Sequence, residues 1–274
     1  LNLNGSGKLF LDVNGGDELA TEVLFQPDGK IIMTGTSTTP TSYDFVVARL
    51  NPDGSPDPTF SYDGIATTLI NTGGVVCYGS VLQDDGKIIL AGFGSFITGT
   101  NGIVVRYTED GALDNSFGTG GKVQLALGPN GLAITNVALQ PDGKIVCSGM
   151  YHNGTDGDMM VLRLNSDGSY DTDFSTDGVA YYDLNNSNDV FWDLAVQDDG
   201  KIVAVGTTEN LASEKEFVVA RFNSDGSLDN SFSSGGYTEI DFANLDNDAT
   251  SIKIHDNQIF VAGKCNNGSL IVMT

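Results

Sequence analysis

The chain has 274 residues, 40% hydrophobic and 18% charged, which is enough for a full core. No run reaches the roughly 18 apolar residues of a membrane span. Thirty-six acidic against 13 basic residues give a net charge of -23; a surface this acidic repels phosphate backbones and anionic membrane, so neither nucleic acid nor membrane insertion is expected.

Along the chain, the first alternating stretch is Lys8-Leu9-Phe10-Leu11-Asp12-Val13. From there one pattern recurs. An apolar run ends in Gln26, Gln83, Gln140 and Gln197; a turn with Pro or Asp, then Asp-Gly-Lys, follows; a second run opens at Ile31, Ile88, Ile145 and Ile202. The turn aspartates fall at 28, 85, 142, 199 and, in a shortened copy, 256, a constant step of 57 residues. Such a period marks a repeat architecture. The turn glycine supplies the positive φ of a bulged hairpin, and Asp256-Asn257 suits a two-residue turn with both φ positive. A third run, as in Phe45–Arg49, Ile103–Arg106, Met159–Arg163, Phe217–Arg221 and Leu270–Met273, is apolar at successive positions like the second, so both faces are covered. The fourth alternates: Val123, Leu125 and Leu127 against Lys122, Gln124 and Ala126. It reads as a half-exposed outer strand.

Antiparallel units with covered middle strands and a solvated outer strand are propeller blades. Lys8–Val13 matches Lys122–Leu127 two periods away. The expectation is an all-β, five-bladed β-propeller of four-stranded blades, one domain over 1–274. Blades start near 20, 77, 134, 191 and 249, and the lone strand 8–13 closes the ring as outer strand of the last blade, beside Leu270–Met273. The chain opens on Leu1 rather than Met, so a processed or trimmed chain is expected, which leaves export open. Three cysteines (77, 147, 265) make no disulfide framework, and Cys147 reads as a buried small hydrophobe.

After the third strand comes Asn51-Pro52-Asp53-Gly54-Ser55-Pro56-Asp57-Pro58-Thr59-Phe60, with copies at 110–117, 167–174 and 225–232. Asp-Gly-Lys-Ile, then Arg, then Asn-x-Asp-Gly-Ser-x-Asp-x-Ser-Phe, in fixed order over essentially the whole chain, resembles the delta-60 repeat family. The resemblance implies a propeller of secreted or surface-attached bacterial proteins, hence an extracellular or cell-surface location. It implies no known activity and no functional residues.

Asn51, Asp53, Ser55 and Asp57 have the odd spacing of a calcium loop, but Gly is fourth rather than sixth and Tyr62 stands where a bidentate acid belongs. Asx turns are the plainer reading, and no cofactor is expected, with calcium the open alternative. Arg49, Arg106, Arg163 and Arg221 each precede an Asp by eight residues (57, 114, 171, 229), and the fifth copy lacks both, so structural pairs are expected rather than ligand contacts. Phe60, Phe117, Phe174 and Phe232 read as packing anchors.

The connections that vary are Thr36–Asp44, Phe93–Gly102, Met150–Asp158, Thr207–Glu216 and Lys264–Gly268, and variation on a rigid frame marks the face free to bind. At the start of the innermost strands, Glu22, Asn136 and Asp193 align, with Tyr78 and Trp192 one place earlier. Acids and an amide beside aromatic rings suit a sugar; the plainer reading is a wet funnel with Trp192 packed between blades. The expected function is a non-catalytic module binding a glycan or protein at the variable face. The alternatives are a glycoside hydrolase with Glu22 and Asp193 as its carboxylates, which must lie about 5–9.5 Å apart, or a passive spacer in a surface adhesin. The two histidines, His152 and His255, lie apart and offer no triad or metal set.

Overall fold

A computed structural model describes residues 8–273 except 14, 72–73, 97–98, 128–129, 211–213, 243–245 and 266–269, with 71, 96 and 270–273 described by backbone alone. Among the described residues every regular element is a β-strand. The strands fall in two compact units, Leu1–Pro129 and Asn130–Thr274.

The first unit holds two four-stranded antiparallel meanders. One is β1 (Asp17–Phe25), β2 (Ile31–Thr38), β3 (Tyr43–Leu50) and β4 (Ile65–Asn71); the other is β5 (Val75–Leu82), β6 (Ile88–Phe96), β7 (Gly99–Tyr107) and β8 (Lys122–Leu125). The second unit holds three sheets. They are β9 (Leu132–Leu139), β10 (Ile145–His152), β11 (Gly157–Leu164) and β12 (Val179–Tyr182); β13 (Val190–Val196), β14 (Ile202–Glu209), β15 (Lys215–Phe222) and β16 (Tyr237–Ile240); and the three-stranded β17 (Asn247–His255), β18 (Gln258–Cys265) and β19 (Leu270–Met273).

The apolar middle strands are buried on both faces: β11 is buried along its whole length and β14 along all but its last residue. In the first unit Ile32, Phe45, Val47 and Phe60 of one sheet pack with Val75, Cys77, Ile88 and Leu90 of the next. In the second, Val146, Met159 and Phe174 pack with Phe191, Ile202 and Phe222, and Val203, Val205 and Phe217 with Ala249, Ile252 and Val261. The three cysteines are buried free thiols. The turn chemistry is as expected: Gly29, Gly86, Gly143 and Gly200 have φ between 81 and 86°, and Asp256 and Asn257 are both left-handed.

One device recurs in all five sheets. The pairing of the innermost strand with the second slips by one residue, at Thr21, Tyr78, Thr135, Trp192 and Thr250. These are β-bulges, which bend a strand and re-aim its side chains. Opposite each stands a glycine. A Cβ on Gly35, Gly92, Gly149, Gly206 or Gly263 would meet a carbonyl oxygen of the bulged strand at 1.9–2.1 Å. No other residue fits there.

Two expectations change. Strands run past their apolar stretches, because Thr36–Thr38 continue the ladder opposite Phe45–Tyr43. The connection expected over Thr36–Asp44 therefore shrinks to a tip at 39–42. The innermost strands likewise begin before their apolar runs, so the aligned acids and amide lie mid-strand at the bulge, not at a strand start. Among the described residues, Lys8–Asp12 are in no ladder and the fifth sheet has three strands, so the expected closing strand is not seen paired there. Leu9, Leu11 and Val13 instead line a cavity of about 150 Å³ with Leu19, Met33, Val46 and Ala48 of the first sheet. The Ser37 hydroxyl donates to Val13 O (3.2 Å). Alternating apolar side chains can dock on a sheet face without any backbone pairing.

Candidate functional site

At the edge of each sheet that carries the Asp-Gly turn, one cluster is built four times. Arg49, Arg106, Arg163 and Arg221 meet Asp57, Asp114, Asp171 and Asp229 at 2.6–2.9 Å. Each guanidinium lies over Phe60, Phe117, Phe174 or Phe232, 4.5–4.8 Å from the ring centre. The turn lysines 30, 87, 144 and 201 reach the same carboxylates. Arg49 also donates to Glu109 O, and Arg163 to Ser224 O, tying neighbouring sheets of the same unit. The arginines are thus structural, as their spacing indicates. In the loop with calcium-like spacing, Asp53 accepts from Ser55 N and Oγ, and Asn51 donates to Ser55 Oγ and Pro56 O, which is Asx-turn bonding. Among the described residues no group of three or more His, Cys, Asp or Glu is placed to hold a metal.

The sequence-selected row behaves differently. Glu22 on β1 accepts from Ser80 N (2.8 Å) and Ser80 Oγ (3.2 Å) on β5. Asp193 on β13 accepts from Ile252 N of β17 (2.8 Å) through one oxygen. Its other oxygen accepts from Leu194 N (2.8 Å) and from the Asn136 side chain of β9. Burial pushes the Asp193 carboxyl up, opposed by the Ile252 and Leu194 amides. Glu22 and Asp193 are cross-braces between innermost strands, and only Asn136 and Asp193 are joined directly. Tyr78, at its bulge, stacks on Phe93 with ring centres 5.1 Å apart and planes 12° from parallel. It is 39% exposed.

Trp192 is 38% exposed at its own bulge. It lines a cavity of about 90 Å³ with Met150, Asn188, Asp189, Thr207, Glu209, Lys215 and Asp248. These residues come from the ends of β10, β14, β15 and β17 and from the connection before β13, the edge opposite the repeated clusters. Asp248 is held by Lys215 (3.6 Å), Lys264 (3.3 Å) and Thr207 Oγ1 (3.3 Å). Asp189 is wholly buried, and burial raises its carboxyl to about 6 against the hydrogen bonds of Thr208, Leu184 and Ser187. The sequence singled out Trp192 but not Asp189 or Asp248. Their one signal is an acid just ahead of, or opening, an innermost strand.

A family model described as Domain of unknown function (DUF5122) beta-propeller matches residues 26–60, 83–117, 140–174 and 197–232, just over half of the chain. Each match runs from the Asp-Gly turn through the Arg to the Phe anchor. No curated protein matches. Among solved structures, a hypothetical protein from Leishmania major is 11% identical, covering 98% of this chain and 90% of its own, at a TM-score of 0.48. An endo-arabinase from Bacteroides thetaiotaomicron is 10% identical over 94% and 93%, at 0.44. An ulvan lyase is 12% identical over 92% of this chain and 63% of its own, at 0.45.

Proposed function

The chain belongs to the DUF5122 beta-propeller family, and from that premise we propose that it is a non-catalytic module, binding a glycan or a protein, of a secreted or cell-surface bacterial protein. The observation that carries this reading is the Trp192 cavity at the edge whose connections differ from repeat to repeat. A half-exposed indole beside Asn188, Glu209 and Lys215 offers one stacking face and several hydrogen-bonding groups, the equipment of a small polar site. At about 90 Å³ it is smaller than the usual 300–1,000 Å³ ligand pocket, so it would seat one ring edge or one side chain rather than engulf a ligand. Hydrolysis is disfavoured because the oxygens of Asp193 are occupied by amides, and Glu22 braces Ser80. A nucleophile or general acid must reach the substrate.

In this reading the five sheets form one ring, the repeats are those of the delta-60 resemblance, and Lys8–Val13 leaves the first sheet to become the outer strand of the fifth. The two-period match to Lys122–Leu127 supports this. Leu11→Cys paired with Val272→Cys tests it: oxidative cross-linking within one chain is expected, and none would dismiss the closure. A glycan array tests the binding itself, with the native chain bound and Trp192→Ala unbound at unchanged fold. Silence of the native chain on glycans and on surface-protein arrays would leave only the spacer.

A further inference from the structure

We propose that Asp189 is a proton-operated latch on the Trp192 cavity, so that a ligand seated there is held with different affinity when Asp189 is protonated; this rests on the cavity being the binding site. The latch fastens the connection between β12 and β13. Asp189 N donates to Gly157 O on β11 (2.7 Å). Its Oδ2 accepts from Leu184 N (2.6 Å), and its Oδ1 from Thr208 Oγ1 on β14 (2.5 Å). Between these anchors Asn185 and Asn186 are both left-handed, with φ of 63 and 52°. Asparagine adopts this conformation more readily than other side chains, so the pair forms a tight turn between the two ends that Asp189 ties together.

Counting hydrogens points to the proton. Ser187 Oγ lies 2.9 Å from Leu184 O, 2.7 Å from Glu209 O and 3.3 Å from Asp189 Oδ1. One hydroxyl has one hydrogen for these three acceptors. A proton on Asp189 Oδ1, taken from solvent, eases the conflict by turning one acceptor into a donor: Oδ1 donates to Ser187 Oγ, and Ser187 has only Glu209 O and Leu184 O left to share its hydrogen. When the proton leaves, Ser187 must choose among acceptors and the cavity wall gains a negative charge. The charged groups around Asp189 are Asp183 on its own connection, Asp158 beside Gly157 on β11, Glu209 on β14, Lys215 on β15 and Asp248 on β17, and Lys215 is engaged by Asp248. Four of these five are acids, and Asp183 adds to the burial that raises Asp189.

The chain has a single tryptophan, so its emission reports this cavity alone. A pH titration of the native chain should show a step in Trp192 emission with its midpoint near 6, absent in Asp189→Asn. Thr208→Val, which deletes a donor to the ionised form, should move the midpoint up. It decides the matter alone if Asp189→Asn fails to fold. A flat native titration, a step that persists in Asp189→Asn, or an unmoved midpoint in Thr208→Val would overturn the latch. The emission step together with no binding by the native chain on glycan or surface-protein arrays would defeat the binding reading while leaving the Asp189-dependent change of the cavity wall in place. Trp192-dependent binding whose affinity ignores pH would do the reverse.

Discussion

The two edges of a sheet carry buried acids of opposite tendency. At the Asp-Gly edge, burial alone would raise Asp57, Asp114 and Asp171. Hydrogen bonds from Thr59, Ser116, Lys144 and the Asp173 amide, with the charge of the arginines, outweigh it and hold these carboxyls below their ordinary range. At the opposite edge burial wins, and Asp44, Asp158 and Asp189 are raised. Where charge is matched by a cation, the same arrangement returns four times. Where it is not, the residues differ from repeat to repeat, and burial raises the Asp189 carboxyl to about 6. Ion-paired acids with lowered carboxyls and acids raised by burial are thus separated to opposite ends of the same strands.

The comparison can be broken in order of effect. Gly206→Ala should be the most damaging change, because its Cβ would meet Val190 O at 1.9 Å. A loss above about 4 kcal/mol, or failure to fold, is expected by urea denaturation. Gly200→Ala, at a turn φ of 82° with open space around it, should cost only about 1–2 kcal/mol. Equal effects would mean that the bulges are not what fixes these glycines.

Arg163→Ala should follow, since it strands the buried Asp171 and uncovers Phe174. The expected loss is about 3–5 kcal/mol. Deleting Asp171 as well should cost less than the sum of the single changes, because no buried charge is then left alone. An unchanged melting temperature in Arg163→Ala would show that the repeated edge is not held by these pairs.

The pH dependence of stability comes next. The folded value of Asp189, about 6, lies above the ordinary 3.8. The folded chain therefore binds this proton more tightly than the unfolded one. The stability it contributes is present at low pH and lost as pH rises through about 6. The native chain should weaken by on the order of 2 kcal/mol between pH 4 and 7 from this group, and Asp189→Asn should remove that slope. Asp171 has the opposite sign: its folded value is depressed, so its contribution is present above the unfolded value and lost as pH falls through the folded one. Acid unfolding should thus begin at the repeated edge.

The repeated edge was legible in the sequence because its determinants are local. Arg and Asp eight residues apart, present together or absent together, identify each other, and the Gly and Phe rows follow the same period. The opposite edge was legible only as variation. Trp192 stood out by type, but its cavity is assembled from four strand ends and one connection whose residues are up to about a hundred positions apart. From pattern alone Glu22 reads as a rim carboxylate, because the polar opening Asp17-Glu18 conceals how far β1 extends before it, and Asp193 is placed by alignment with it. The bulge that turns these acids into braces depends on pairing register, which no single strand's pattern reveals.

The smallest expected effect on stability carries the most weight for function. Trp192→Ala should shift unfolding by only about 1 kcal/mol, since 38% of the side chain is already exposed. The decisive measurement is ligand binding on glycan and surface-protein arrays by the native chain, by Trp192→Ala and by Asp142→Ser at the repeated edge. Binding should vanish in the first variant and survive in the second. Binding that survives Trp192→Ala, or disappears with Asp142→Ser, would contradict the assignment of function to the variable edge.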